Sequence, residues 1–169
     1  MRTLLGLTVL ALSTAACSAE SARLPDGAVI LDGKMARAVL QQCSRDVPAI
    51  GEATWQPDAQ QIRDLEAALP RALKSDRTPG NPYLYGPAYT KAGPDWSKAP
   101  SDWRRQYVGL IRHGRRFIYG NFFPERDSEE FRNWKTEPAL ICDGGPSFFG
   151  AEYDPNSGRF THFAFNGVA

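Results

Sequence analysis

The sequence predicts an α+β domain in which two N-terminal helices pack on an antiparallel sheet of four or five strands. Three observations support this prediction. Apolar residues recur at helical spacing in segments 34–45 and 58–73, strand-like alternation begins near residue 105, and a proline- and glycine-rich segment separates the two halves. Helices followed by hairpin-connected strands are typical of α+β proteins, in which helices cover one face of the sheet.

The N-terminal segment has the features of a secretory signal. Arg2 precedes nine uncharged residues, Leu4–Leu12, and small residues then lead to Cys17. A positive residue, a short apolar run and small residues before a cleavage site are the three parts of such a signal. The apolar run is shorter than the roughly 20 residues that a membrane-spanning helix needs. We therefore expect residues 1–16 to be removed during export from a bacterial cell.

Cys17 is the expected lipidation site. Ala15-Ala16-Cys17 resembles the lipobox of bacterial lipoproteins, in which the cysteine is acylated and becomes the first residue, although Thr14 stands where that pattern usually has leucine. Ordinary signal cleavage near Ala16 or Ala19 is the alternative. The protein is therefore expected on the periplasmic side of the cell envelope, anchored by lipid, or else soluble in the periplasm or secreted.

The three cysteines fit the same compartment. If Cys17 carries lipid, Cys43 and Cys142 remain as an even pair. Disulfides persist outside the cytoplasm, where reducing systems do not break them. We predict a disulfide between Cys43 and Cys142, with two separate buried thiols as the alternative.

One folded domain, residues 28–169, is predicted to follow a small, polar tether formed by residues 17–27. The chain after the signal has 19 basic and 19 acidic side chains. This balance argues against a general nucleic-acid binder, which needs a strong basic excess. The length leaves room for one hydrophobic core.

Two helices are predicted before the sheet. The first covers residues 34–45, with Asp32 placed to cap its start, and the second covers residues 58–73. Pro70 is expected to bend or end the second helix, because proline has no backbone N–H and its ring clashes with the preceding turn. The apolar stripes are Met35, Val39, Leu40 and Cys43 in the first helix and Ile62, Leu65, Leu69 and Leu73 in the second.

Residues 74–104 are predicted to form a long loop, because prolines and glycines interrupt every period. Aromatic side chains suit protein interfaces, and long ordered loops are often functional. We therefore consider the aromatic residues of this loop a candidate partner-binding surface. They are Tyr83, Tyr85, Tyr89, Trp96 and Trp103.

The strands follow in two predicted hairpins with a short strand, residues 139–142, between them. His113-Gly114 is the two-residue turn of the first hairpin, which sets Val108 opposite Tyr119 and Leu110 opposite Phe117. The second hairpin joins residues 147–153 to residues 159–165 through a turn that ends in glycine. Strands curled around one helix in this way are similar in architecture to cystatin-like rolls.

Residues that could support catalysis do not form a recognisable set. His113 and His162 lack the spacing of a zinc site, and no nucleophile motif is present, so we expect neither a metal nor a cofactor. A hydrolase that uses Asp143, Glu152 or His162 is one hypothesis. A basic strip is suited to an anionic lipid or a carboxylate, and also to protection of strand edges. It consists of Arg104, Arg105, Arg112, Arg115 and Arg116.

The sheet half resembles a group of small exported bacterial proteins, among them lipoproteins, that have no assigned activity. The segments that resemble them are Cys142–Asp154, Phe163–Gly167, Arg105–Gly109 and Tyr119–Phe123. The resemblance covers roughly residues 103–169. It implies a type of domain and no catalytic residues.

These observations favour a non-enzymatic binding module. Its expected partner is an envelope protein or a wall component, and it contacts the membrane through the lipid on Cys17. The first alternative is an inhibitor or immunity-type protein that blocks a periplasmic hydrolase, because a compact domain pinned by a disulfide loses little freedom on binding. The second alternative is the hydrolase described above.

Overall fold

A computed structural model describes residues 23–75, 98–127 and 129–167. These residues form an α+β fold with six strands and two α-helices. The helices are α1 (Ala36–Val39) and α2 (Ala59–Leu73). The strands are β1 (Ala28–Ile30), β2 (Ala53–Trp55), β3 (Trp103–Arg112), β4 (Arg115–Pro124), β5 (Phe149–Asp154) and β6 (Arg159–Phe165). Short 3₁₀ turns are Gly33–Met35, Glu125–Asp127 and Gly145–Ser147.

The six strands form one sheet in the order β1-β3-β4-β5-β6, and β2 also pairs with β3. Strand β1 runs parallel to the first part of β3, with Ala28 opposite Arg105. Strand β2 runs antiparallel to the second part, with Trp55 opposite Gly109. The expectation of four or five antiparallel strands is therefore wrong in number and in the direction of β1. Strands of three residues give too short a pattern to be recognised by alternation.

The β3–β4 hairpin confirms the predicted register. Val108 lies opposite Tyr119 and Leu110 opposite Phe117. His113 and Gly114 both have positive φ, 50° and 70°, which identifies a type I′ turn. This turn type matches the right-handed twist of the flanking strands, and it fixes which residues of the two strands share a face.

Helix α2 forms where the apolar spacing predicts it. Asp58 and Gln61 form a capping box, in which the Gln61 N–H donates to Asp58 Oδ1 at 2.8 Å and the Asp58 N–H donates to Gln61 Oε1 at 2.9 Å. Of the two effects expected of Pro70, the end of the helix does not occur, because the helix continues to Leu73 as its apolar spacing predicts. Leu69 and Leu73, on either side of the proline, are fully buried, and their packing holds the last turn in place.

The first predicted helix is much shorter than residues 34–45. Asp32 caps the start as predicted, accepting a hydrogen bond of 2.9 Å from the Lys34 N–H. The chain then leaves the helix at Leu40. Beyond this point Cys43 bonds to Cys142 and Arg45 donates to Asn121 on the sheet. These tertiary contacts determine the path of the chain more strongly than its helical spacing.

The two helices cover opposite faces of the sheet, so the expectation that both lie on one face is wrong. On the α2 face, the apolar stripe of α2 packs against Tyr107, Ile118 and Phe122. On the α1 face, the α1 segment packs against Val108 and Tyr119. The strands between these layers are therefore buried on both sides, and residues 106–110 are all buried.

The predicted strand at residues 139–142 does not form. The Ala139 N–H donates to Gln106 Oε1 at 2.8 Å, and the Ala139 carbonyl accepts a 2.9 Å hydrogen bond from Asn121 Nδ2. Side-chain amides on the α1 face thus take the place of a partner strand. The second hairpin is confirmed as β5 and β6, and Gly158 closes its turn with a φ of 66°.

Candidate functional site

The predicted disulfide is present. Cys43 and Cys142 are bonded, with their Cα atoms 4.9 Å apart. The bond joins the segment after α1 to the segment before β5, which are 99 residues apart in sequence. Cys17, the predicted lipidation site, lies outside the described residues together with the predicted signal.

Most of the predicted aromatic partner surface also lies outside the described residues. This applies to Tyr83, Tyr85, Tyr89 and Trp96. Trp103 is described, and it is a core residue with 2 % of its surface exposed. Its indole N–H donates to the Ser147 carbonyl at 2.8 Å, and its ring meets Phe149 edge to face. We therefore do not retain Trp103 in the partner-binding surface.

The side chains proposed for a hydrolase have other partners. Glu152 and His162 lie opposite each other on β5 and β6. Both Glu152 carboxylate oxygens accept hydrogen bonds of 2.6 Å from Arg112, and Oε1 also accepts one of 2.7 Å from Thr161. His162 Nε2 lies 3.1 Å from the Asp46 carbonyl oxygen, which only accepts, so Nε2 carries the hydrogen.

With these hydrogen bonds, Glu152 and His162 do not form an acid–base pair. Both Glu152 oxygens are held by Arg112 and Thr161, while the Nε2 hydrogen of His162 is directed to the backbone. Asp143 is exposed, and its backbone carbonyl accepts a hydrogen bond from Asn166. The structure therefore does not bring the three residues together as an acid, a base and an orienting group.

Asp154 forms a second paired acid at the same end of the sheet. It is buried and forms a salt bridge with Arg115. Burial acts to raise its pKa, but hydrogen bonds from Asn156, Ser157 and Arg115 outweigh burial and hold the pKa below its ordinary value. Asp154 therefore stabilises the β5–β6 turn in its charged form.

A buried ion pair joins α2 to the sheet. Arg105 contacts Glu66 through two hydrogen bonds, with Nε 3.0 Å from Oε1 and Nη2 3.2 Å from Oε2. Tyr107 also donates to Glu66 Oε1 at 2.8 Å. Burial raises the pKa of Tyr107 well above its ordinary value, and the Glu66 charge adds to this effect. The group connects two elements inside the core and has no access to a ligand.

A polar network on the α1 face fixes the loop after α1. Arg45 donates to the side-chain oxygens of Asn166, at 2.7 Å, and of Asn121. Gly150 makes this possible, since a Cβ there would lie 3.1 Å from Arg45 Nε and 2.9 Å from the Tyr119 ring. The network therefore supports the fold around the disulfide.

The predicted basic strip is largely neutralised. Four of its five arginines form salt bridges, and Arg116 stacks over the Trp55 ring at 5.0 Å from its centroid. The salt bridges are Arg104–Glu125, Arg105–Glu66, Arg112–Glu152 and Arg115–Asp154. Four of the five charges are therefore paired, and the strip does not present five free positive charges to an anionic ligand.

An open groove lies between α2 and the β5–β6 turn. We call it the α2 groove; its volume is about 1170 Å³. It is lined by Asp64, Ala67, Ala68, Arg71, Ala72, Ser75, Ser157, Gly158, Arg159 and Phe160. Arg71 and Arg159 are exposed, and neither has an ion-pair partner among the described residues. The groove thus combines two arginines that form no ion pair within the described residues, one acid and an apolar wall.

Sequence reasoning missed the α2 groove because its two sides are about 90 residues apart in sequence. Arg71 and Arg159 each look like an ordinary surface charge. The available signal was the run of alanines beside the apolar stripe of α2, since small residues there leave space next to the helix.

The described residues contain neither a membrane-spanning helix nor a metal cluster. Within these residues, no helix is long and apolar enough to cross a bilayer. Within the same residues, no group of three or more His, Cys, Asp or Glu side chains is placed to hold a metal ion. Comparisons with models of protein families, with curated proteins and with solved structures find no match to this chain.

Proposed function

We propose that this chain is an exported, lipid-anchored envelope protein whose folded domain is a non-enzymatic binding module. The observation that carries the proposal is the contrast between its buried and exposed charges. The buried charged side chains of the described residues, Glu66, Arg105, Glu152 and Asp154, all have partners of opposite charge. Arg71 and Arg159 at the α2 groove are left for a partner.

The disulfide supports the export part of the proposal. Because Cys43 and Cys142 bond to each other, Cys17 is the third cysteine and is left for acylation. A disulfide that persists indicates an oxidising compartment. A protein that is soluble in the periplasm or secreted is the alternative.

Intact-mass analysis of the purified membrane fraction tests the export proposal. We expect a chain that begins at Cys17, carries lipid and lacks the two hydrogens of the Cys43 and Cys142 thiols. Recovery from the cytosol with Met1 and Arg2 still attached would contradict it. A soluble chain cleaved near Ala16 or Ala19 would support export and refute the anchor.

Site-specific photo-crosslinking in cells tests the binding role. Ala67 lines the α2 groove and is exposed, so Ala67→p-benzoylphenylalanine places the crosslinker there. Arg37→p-benzoylphenylalanine on α1 is the matched control, because Arg37 is also exposed but lies on the opposite side of the sheet. We expect a discrete adduct from Ala67 that Arg71→Ala abolishes, with none from the control. Equal adducts from both positions would refute a binding site at the groove.

An inhibitor or immunity-type protein is a second candidate, and the disulfide favours it. A bond that closes 99 residues keeps the surface rigid, so little conformational freedom is lost on binding. This candidate predicts that the purified protein inhibits a wall-degrading hydrolase at a one-to-one ratio. Full activity of a panel of such enzymes in its presence would count against it.

The finer parts of the fold and family predictions also remain proposals. We propose that the six-stranded sheet with α2 on one face is curled in the manner of a cystatin-like roll. The similarity of residues 103–169 to small exported bacterial proteins is a prediction of the same kind, and it agrees with the export proposal.

A further inference from the structure

We infer that the α2 groove binds a short peptide through a free carboxylate. This inference rests on the proposed binding function and specifies the class of ligand. Arg71 lies in the last turn of α2, and Arg159 is the first residue of β6, so two separate elements bring to one groove guanidinium groups that have no ion-pair partner among the described residues. A guanidinium presents parallel N–H donors that match the two oxygens of a carboxylate.

The arginines of the β3–β4 hairpin differ from these two in what they contact. Arg112 and Arg115 are held by the buried acids Glu152 and Asp154, and Arg116 stacks on Trp55. The charges of Arg112 and Arg115 are therefore balanced by carboxylates, and the guanidinium of Arg116 lies against a ring. Arg71 and Arg159 form an ion pair with none of the described residues, so both guanidinium groups can receive a ligand carboxylate.

The rest of the groove favours a peptide over a compact anion. Its volume of about 1170 Å³ exceeds the usual range of about 300–1000 Å³ for small-molecule pockets, so a single phosphate or sulfate ion would leave most of it unfilled. Ala67, Ala68, Ala72 and Phe160 supply an apolar wall, which suits small aliphatic side chains.

Asp64 restricts the ligand further. It lines the same groove and accepts a hydrogen bond from Gln60 at 2.8 Å. Its charge repels a polyanion such as nucleic acid, but it accepts from an N–H group. A peptide has both groups that the groove requires, a carboxylate for the arginines and N–H donors for Asp64.

Calorimetric titration of the processed protein, with its disulfide intact, tests the inference. The probe is N-acetyl-Ala-Glu-Ala-Ala with a free C-terminus, and the matched control ligand is N-acetyl-Ala-Gln-Ala-Ala amide. We expect the acid to bind at least about tenfold more tightly than the amide, and Arg71→Ala and Arg159→Ala each to weaken the acid about tenfold, as is typical for loss of a hydrogen bond between charged groups.

Arg37→Ala is the control variant, because it removes an exposed arginine away from the groove. We expect it to bind the acid as tightly as the wild type. Equal affinity for acid and amide, or an equal loss in all three variants, would overturn carboxylate recognition at this groove. Arg71 also lies where a positive charge stabilises the helix end, so circular dichroism of each variant separates a binding loss from a folding loss.

The outcomes for the inference and for the proposed function are distinct. If neither peptide binds but Ala67→p-benzoylphenylalanine still forms its adduct in cells, the binding module stands and the peptide ligand is refuted. If inorganic phosphate alone displaces the acid peptide at equal concentration, the site recognises a bare anion and the peptide assignment is likewise refuted.

Discussion

Glu66→Gln tests whether the buried ion pair holds α2 on the sheet. Arg105 and Glu66 side chains are 3 % and 10 % exposed, so the substitution leaves a buried guanidinium without its counter-charge. Breaking a buried pair by removing one partner costs about 3–5 kcal/mol. Arg105 keeps hydrogen bonds to the backbone carbonyls of Trp103, at 2.6 Å, and Asp26, at 2.8 Å. Because these bonds remain, we expect the loss in the free energy of unfolding to lie at the lower end of this range, at about 3 kcal/mol.

Urea unfolding followed by tryptophan fluorescence measures this loss. With an m-value of about 2 kcal/mol/M, a loss of about 3 kcal/mol lowers the midpoint by about 1.5 M. Asp64→Asn is the matched control, because Asp64 is an exposed acid on the same helix, and we expect it to change stability by less than about 0.5 kcal/mol. If Glu66→Gln also changes the free energy of unfolding by less than about 0.5 kcal/mol, the ion pair does not hold the helix on the sheet and the prediction is refuted.

Three further predictions concern the disulfide, the paired acid and β2. Replacing Cys43 and Cys142 together by serine should lower the unfolding free energy by roughly 4–5 kcal/mol, the chain-entropy estimate for this loop length, and denaturation under non-reducing conditions measures it. Because the folded pKa of Asp154 lies below the unfolded value of about 3.9, its stabilisation is present above that pH and is lost as the pH falls through the folded pKa. Asp154→Asn should therefore flatten the stability profile between about pH 5 and 2; an unchanged profile would refute this. Gly109→Ala should destabilise the protein more than Gly114→Ala, because a Cβ at Gly109 overlaps the Trp55 carbonyl and lies 2.8 Å from its ring. A Cβ at Gly114 meets nothing within 4 Å, so that variant has only the backbone strain of its φ of 70°; thermal unfolding compares the two.

The elements that could be predicted from the sequence are those whose signal is local and long enough to repeat. Helix α2 combines a capping box with four turns of apolar spacing, so local preference and burial agree. The β3–β4 hairpin has a two-residue turn that itself sets the register. In both cases the tertiary structure reinforces what neighbouring residues already favour.

Two of the failures share one physical cause, which is that side chains distant in sequence replace local backbone partners. The segment after Leu40 keeps an apolar period, yet the disulfide and Arg45 draw it onto the sheet. Residues 139–142 have strand composition, yet Gln106 and Asn121 bond their backbone in place of a strand. Such contacts involve residues 18 to 99 positions apart, and no window of neighbouring residues contains them.

Local sequence also does not predict which charged side chains are paired in the folded protein. The sequence identifies a basic strip within residues 104–116 because positive residues cluster there. The acids that pair with four of its arginines come from three places, which are α2, the 3₁₀ turn that follows β4, and strand β5. Arg71 and Arg159 belong to no cluster, and the structure leaves both unpaired among the described residues beside an apolar wall.

The proposed binding of a carboxylate at the α2 groove depends on which charges remain there after folding. Residues 17–169 are formally neutral, and a neutral total by itself suggests no preference for either sign. Folding directs Glu66, Glu152 and Asp154 inward to pair with arginines of β3 and β4. Each pair removes one positive and one negative charge, so the total stays neutral and only the positions of the remaining charges can create a local excess. Among the described residues, Arg71 and Arg159 lie outside the ion pairs, and both line the α2 groove.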